Sequence, residues 1–309
     1  MGGITQSHYR PIEKKVIETL LETKSQSATS RLLKIGRSTI RLVMEQAVER
    51  GMSLRDKDRI YEHLCIDEKS YQKHHRYGSI LYDEDGTVID VVEGRSKDSV
   101  RELFAGCLSP KQRMCVRTIA MDMLDTFING AKTYLPNALI CHDHYHLVTY
   151  LQDAVDKVRK REVKHQAELR KSKYLWLKDR MSFTDGERLR FDALSAAIYE
   201  TSRAWHIKEM FREITFGGEY QYQNIQYWLW KMLARAKHIP EIDKVLNMFD
   251  SHDIGIMNAM RTGRNNGKAE RRNGAIQELR TVGRGFYDFQ HFRTTILFFH
   301  GGLKLCNSY

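Results

Sequence analysis

The 309-residue sequence predicts an α/β protein: a mixed sheet flanked by helices, interrupted by an all-α insertion, with an N-terminal helix-turn-helix. Three observations predict it. Short apolar runs rich in Val and Ile crowd into residues 61–147. The stretch from 148 to about 254 carries helical patterning and a single proline, Pro240. Residues 25–44 read as two short helices around a glycine turn. The expected divisions are 1–55 for the helix-turn-helix, 60–147 for the first part of the sheet-bearing core, 148–260 for the helical insertion and 261–309 for the rest of the core.

From the N-terminus, residues 12–49 look helical, with apolar positions at Ile12, Val16, Ile17, Leu20 and Leu21. A turn at Ile35-Gly36 precedes a second helix capped by Ser38 or Thr39. In a helix-turn-helix that second helix would bring Arg37, Ser38, Thr39 and Arg41 to a DNA groove. Any helical hairpin with a glycine turn fits the same pattern. Strands are predicted at 64–66, 79–82 and 88–92, the last two joined as a hairpin by Asp83-Glu84-Asp85-Gly86. A helix over 99–107, a strand over 116–121, a helix over 124–134, a break at Pro136-Asn137 and a strand over 138–141 follow. Trp176, Trp205, Trp228 and Trp230 are expected in the core of the helical insertion.

Charge points to the partner. Fifty Lys and Arg against 39 Asp and Glu give a net charge of +11 and a pI near 9.3, which favours a polyanion. Residues 155–173 hold eight basic side chains against three acids, either a solvated face or a phosphate-tracking one. Five cysteines form no C-x-x-C pair, so neither a zinc finger nor a disulfide framework is expected and a reducing, cytoplasmic setting fits. No apolar run approaches the roughly 18 residues that span a bilayer, and no signal-peptide core is visible, so no membrane partner is expected.

The chemistry resides in three acids. Asp67 and Asp122 close apolar runs that read as strands, and Glu270 stands near the start of a helix that follows Asn265-Asn266-Gly267. Rigidly mounted carboxylates are what divalent metal ions require, and in a basic protein the natural substrate of such a centre is a phosphodiester. On the last helix Glu270, Asn273, Gln277 and Arg284 share a face, while Ala269, Ile276 and Leu279 lie off it and can pack on the sheet. Glu68 and Asp125 are neighbours that spacing alone does not exclude. The order of the acids suggests an RNase H-like nuclease core. The run His142-Asp143-His144-Tyr145-His146 has the composition of a zinc site but no clear fourth ligand, and reads better as a structural cluster.

These pieces resemble bacterial insertion-sequence transposases of the ISL-three family, within the DDE superfamily, over roughly residues 60–303. The matching motifs are Ile66-Asp67-Glu68, Met121-Asp122-Met123, Asp143-His144-Tyr145-His146, Asn266-Gly267-Lys268-Ala269-Glu270-Arg271-Arg272-Asn273, and the run from Arg284-Gly285-Phe286 to Phe292. The resemblance implies an RNase H-like domain split by a helical insertion, and magnesium-dependent cleavage of transposon ends followed by strand transfer, manganese serving as substitute. It implies Asp67, Asp122 and Glu270 as catalytic metal ligands, with Asp143, His146 and Asn273 as accessory residues; Asp143 is the rival to Asp122. Arg261, Arg264, Lys268, Arg271, Arg272, Arg280 and Arg284 would hold the backbone of double-stranded DNA, both ends and target. It further implies a homodimer or higher multimer in the bacterial cytoplasm, at the nucleoid. Two departures stand out: the cysteine zinc finger that usually precedes the family's helix-turn-helix has no counterpart, as in a truncated or divergent copy, and the family's glycine after the glutamate is Arg271. A DNA-binding regulator without catalysis, or a nuclease without joining activity, are the alternative readings.

Overall fold

The apolar runs between residues 63 and 142 form a five-stranded sheet of order β3-β2-β1-β4-β5. Its strands are β1 (His63–Gln72), β2 (Arg76–Asp83), β3 (Val88–Glu93), β4 (Thr118–Met121) and β5 (Leu139–His142). β1, β2 and β3 are antiparallel neighbours, whereas β1 and β4 run parallel; the sheet is therefore mixed. From Gly78 to Asp83 every residue of β2 is buried, as a central strand covered on both faces should be.

The computed structural model describes residues 5–72, 76–178, 182–197, 199–217, 220–282 and 285–306. Arg284 falls outside them, and so does the side chain of Glu270. The chain forms two compact units, Met1–Leu139 with Asn266–Tyr309, and Ile140–Asn265.

In the first unit, α1 (Thr5–Thr23), α2 (Gln26–Leu33) and α3 (Arg37–Ser53) precede the sheet. The Ser25 hydroxyl caps α2 by accepting from the Ala28 amide, and Lys34 closes it in the left-handed conformation. Three residues join α2 to α3. α3 starts at Arg37 behind Gly36, with no side-chain cap; the expected cap at Ser38 or Thr39 is not formed, because both are already within the helix. Val16, Ile17 and Leu20 of α1 and Ile40, Met44 and Ala47 of α3 are buried.

Between the strands lie α4 (Lys97–Arg101) with a π turn (Glu102–Gly106), α5 (Pro110–Cys115) and α6 (Asp125–Tyr134). The hairpin turn after β2 is held by the Asp83 carboxylate, which accepts from the amides of Asp85 (3.0 Å) and Thr87 (2.8 Å). Gly86 sits there at φ +78, a conformation side chains resist. The unit closes with α14 (Gly267–Val282) and α15 (Phe289–His300). α15 buries Phe292, Ile296, Leu297 and Phe298 between β3 and α3. Phe292 stacks on Tyr71 with centroids 5.2 Å apart, and a Cβ on Gly78 would stand 2.6 Å from its ring. Glycine is what lets α15 lie this close to the sheet.

The second unit contains the helices α7 (His144–Glu162), α8 (Lys173–Leu177), α9 (Asp185–Ala196), α10 (Glu200–Gly217), α11 (Tyr220–Arg235), α12 (Pro240–Asp250) and α13 (Asp253–Thr262). Its core is aromatic: Phe211 lies 4.8 Å from Trp230 and 5.4 Å from Phe249, and Phe191 lies 4.8 Å from Trp205. Trp176, Trp205 and Trp230 are buried as expected, but Trp228 is 55 % exposed. The basic run of residues 155–173 is partly neutralised by acids both distant in sequence and within the run. Arg161 pairs with Glu200 (2.6 Å) and Glu241 (2.8 Å), and the buried Arg159 pairs with Asp156 (2.7 Å).

Candidate active site on the sheet

The first two acids follow the same parallel ladder. β1 and β4 pair in parallel through Cys65 opposite Ala120. Asp67 stands two residues beyond Cys65 within β1, and Asp122 two residues beyond Ala120, directly after the last residue of β4. Because side chains alternate along a strand, Asp67 shares a face with Cys65. Asp67 stands within β1, which continues to Gln72 against β2, rather than at a strand end as the short apolar run suggested. The parallel ladder with β4 is what stops near it.

The helix α14 covers this face. Ala269, Asn273, Ile276 and Leu279 are its buried residues, while Gln277 is exposed. The Asn273 amide donates to the Asp67 carboxylate and accepts from the Tyr82 hydroxyl at 2.6 Å. Tyr82 is the β2 partner of Cys65, so it rises from the same face one row behind Asp67. Burial, reinforced by Asp67 and Cys65, raises the Tyr82 phenol well above its usual range; it stays protonated and donates. A phenol, an amide and a carboxylate thus form one polar chain inside an apolar layer. The other Asp67 oxygen accepts from the Glu68 amide (2.7 Å), and Asp122 accepts from the Met123 amide (2.7 Å). Both carboxylates are held in place by their own backbone.

Glu270 precedes Asn273 by three residues, ~4.5 Å along the helix axis; its side chain lies outside the described residues. The neighbouring acids have other partners. Glu68 binds Arg95 through both oxygens, at 3.0 and 3.1 Å. Asp125 is exposed in the first turn of α6, where a negative charge favours the helix. Asp67, within β1, and Asp122, directly after β4, are hard oxygen donors of the kind that suits a divalent cation. Among the described residues no group of three or more His, Cys, Asp or Glu is gathered closely enough to hold a metal ion.

Asp143, His146 and Arg264 belong to the second unit. Asp143 is buried at the N-cap position of α7 without a side-chain capping bond. His142 and His144 are buried beside it. His142 meets His252 edge-on at 5.3 Å and His144 meets Phe216 at 5.8 Å. Burial holds the His144 imidazole below its ordinary range, so it stays neutral among these rings.

The basic candidates divide by what they touch. Arg37, Ser38 and Thr39 are exposed at the start of α3, whereas Arg41 is bonded to Glu45 (2.8 Å) and lies near Asp288 (3.7 Å). In α14, Arg271 is exposed and Lys268 approaches Asp85 (3.3 Å). Arg272 donates to the Gly86 carbonyl (3.0 Å) and Arg280 to the Ser70 carbonyl (3.3 Å). The latter two tie the helix to β1 and to the hairpin turn. Tyr82 was missed by sequence reasoning; its signal was a tyrosine in an otherwise apolar central strand, whose hydroxyl had to find a buried partner.

A transposase family model of the ISL-three group matches residues 64–296. The chain is 22% identical over 282 residues to the transposase for insertion sequence element IS1001 of Bordetella parapertussis, covering 88% of this chain and 69% of that protein. It is 23% identical over 300 residues to the transposase for insertion sequence element IS1557 of Mycobacterium tuberculosis, covering 85% of this chain and 65% of the relative. The matched residues span both aspartates, α14 and most of α15, and on that basis the chain belongs to the ISL-three family of insertion-sequence transposases.

Proposed function

We propose that this chain is a metal-dependent DDE transposase that cuts double-stranded DNA at the ends of an insertion sequence and joins them to a target. The observation that supports the reading is the parallel pairing of β1 with β4, two residues beyond which stand Asp67 and Asp122, with α14 anchored to Asp67 through Asn273. The mixed sheet and its helical insertion support an RNase H-like core. Asp67, Asp122 and Glu270 would hold the metal, with magnesium the physiological ion and manganese its substitute. When bound, such ions activate the attacking oxygen and offset charge on the leaving one.

The residues of the chain do the positioning. Tyr82 orients the Asn273 amide, and Asn273 holds one Asp67 oxygen, so this carboxylate presents a fixed lone pair instead of sampling rotamers. Asp143 and His146 serve as accessory residues in this reading. The helices α2 and α3 act as a helix-turn-helix that offers Arg37, Ser38 and Thr39 to DNA. Arg264, Lys268, Arg271 and Arg284 add contacts to the phosphate backbone.

The test compares the wild type with Glu270→Gln on labelled DNA carrying the flanks of its own locus, with magnesium or manganese. Cleavage at a defined end and joined products are expected from the wild type, and from the variant DNA binding without either. Nicks without joining would instead identify a nuclease, and binding without any cleavage a regulator. Loss of binding together with cleavage in Glu270→Gln would remove the catalytic role assigned to that residue.

A further inference from the structure

The helix α11 presents an apolar face to solvent. Tyr222, Ile225, Trp228, Leu229, Met232 and Leu233 are each 53 % to 65 % exposed. Tyr222, Ile225, Leu229 and Met232 follow one another at intervals of three, four and three, the spacing of a helix seam. From Tyr222 to Leu233 the one other exposed residue is Gln226. A groove of about 360 Å³ runs beside this seam, lined by Met210, Ile214, Leu229, Trp230 and Leu233, with Glu213 and Gln226 as its polar members.

We infer that this face of α11 is a self-association surface through which two copies of the chain pair. Three arguments favour a second copy as the occupant. The first is area. With Met210 and Phe216 of α10 also exposed, eight large apolar side chains about half open to water present roughly 700 Å² per copy, near the ~800 Å² per partner of a stable interface. A patch of this size exceeds what monomers ordinarily leave uncovered.

The second argument is charge. A chain of +11 repels its own copy, so pairing needs a surface without basic residues. Here the cations of α11 are drawn away. Lys231 is buried and paired with Asp250 (3.2 Å) and Asp253 (2.5 Å), and Arg235 is bonded to Asp250. A nucleic acid or an anionic membrane would find no exposed cation between Tyr222 and Leu233. The third is shape: a seam of knobs beside a groove is self-complementary, as a two-fold interface must be. That such pairing would bring two DNA ends together rests on the transposase reading above; the association itself does not.

Sedimentation of the full chain at about 1 to 50 μM, where interfaces of this size begin to associate, tests the inference. The wild type should run at twice 36.2 kDa. Leu229→Glu and, separately, Ile225→Glu should run as single chains, because a desolvated unpaired charge weakens such a contact by about 100-fold. Leu229→Met should keep the pair, and so should Leu189→Glu, which alters a 74 % exposed residue of α9. Circular dichroism establishes that each variant is folded, and two independent charge variants guard against a failure of one to fold. A wild type of single-chain mass throughout, or charge variants that remain paired, would overturn the inference. So would a monomer whose Trp228→Ala variant loses DNA retention, since the face would then stack on bases. Mass and cleavage fail independently: a dimer that cuts despite Glu270→Gln removes the catalytic reading alone.

Discussion

Replacing Asn273 by Ala probes the polar chain that positions Asp67. Tyr82 is fully buried, so its freed hydroxyl gains no water, whereas the half-buried Asp67 recovers part of its loss from solvent. The variant loses a hydrogen bond to a carboxylate, in the class of ~1.5–3 kcal/mol, and strands the Tyr82 hydroxyl at a further ~1–3. Relaxation offsets part of this, and a net loss of about 2–3 kcal/mol is expected. In a domain of this size that lowers Tm by roughly 5–10 °C. Tyr82→Phe removes the hydroxyl and leaves the Asn273 carbonyl oxygen without it, for about 1–2 kcal/mol. The decisive assay is the double-mutant cycle by urea denaturation. Once Asn273 is gone, the hydroxyl has no partner and its removal should cost nothing, so the pair should show a coupling of about 1–2 kcal/mol. Additivity within ~0.5 kcal/mol would refute the chain Tyr82–Asn273–Asp67.

Four other outcomes are expected. Burial first, then Arg272 and Lys24, depress His300 from its ordinary 6.5 to about 4, so the fold holds it neutral. Its contribution is complete above pH 6.5 and is lost as pH falls towards 4, by up to about 3 kcal/mol; denaturation of His300→Gln should flatten that slope. Gly78→Ala should destabilise by about 1–3 kcal/mol, since its Cβ would meet the Phe292 ring at 2.6 Å, and a thermal melt reads it. Arg37→Ala should shallow the salt dependence of DNA binding by about one phosphate contact, whereas Arg41→Ala, already bonded to Glu45, should change it little. Cys107, whose thiol is pushed far up by burial and by Asp90, should resist alkylation in the native protein and react on unfolding.

Periodicity and apolar runs made all five strands legible, because a strand buried on both faces must be apolar almost throughout. Their lengths were less legible. β1 continues through Glu68, Lys69 and Ser70, polar residues that keep the strand by pairing with β2, and hydropathy does not register backbone pairing. For that reason Asp67 was expected at a strand end, whereas it stands within β1. The strand carrying Asp67 and the one preceding Asp122 are joined by Cys65 meeting Ala120 across more than fifty residues of intervening chain, a pairing no local pattern announces. The same limit explains the basic residues. Arg161 looked free in a run of like charges, but its partners Glu200 and Glu241 come from other helices, which no local count can anticipate. Arg272 and Arg280 looked like phosphate contacts and instead donate to the carbonyls of Gly86 and Ser70. Helical spacing set Asn273 with Gln277 and apart from Ala269, Ile276 and Leu279, whereas Asn273 is buried with those three and Gln277 is exposed, and it gave no sign of the β2 tyrosine whose hydroxyl donates to Asn273. A single sequence reports which side chains have suitable chemistry; which of them remain available for a ligand is decided by the partners the fold supplies.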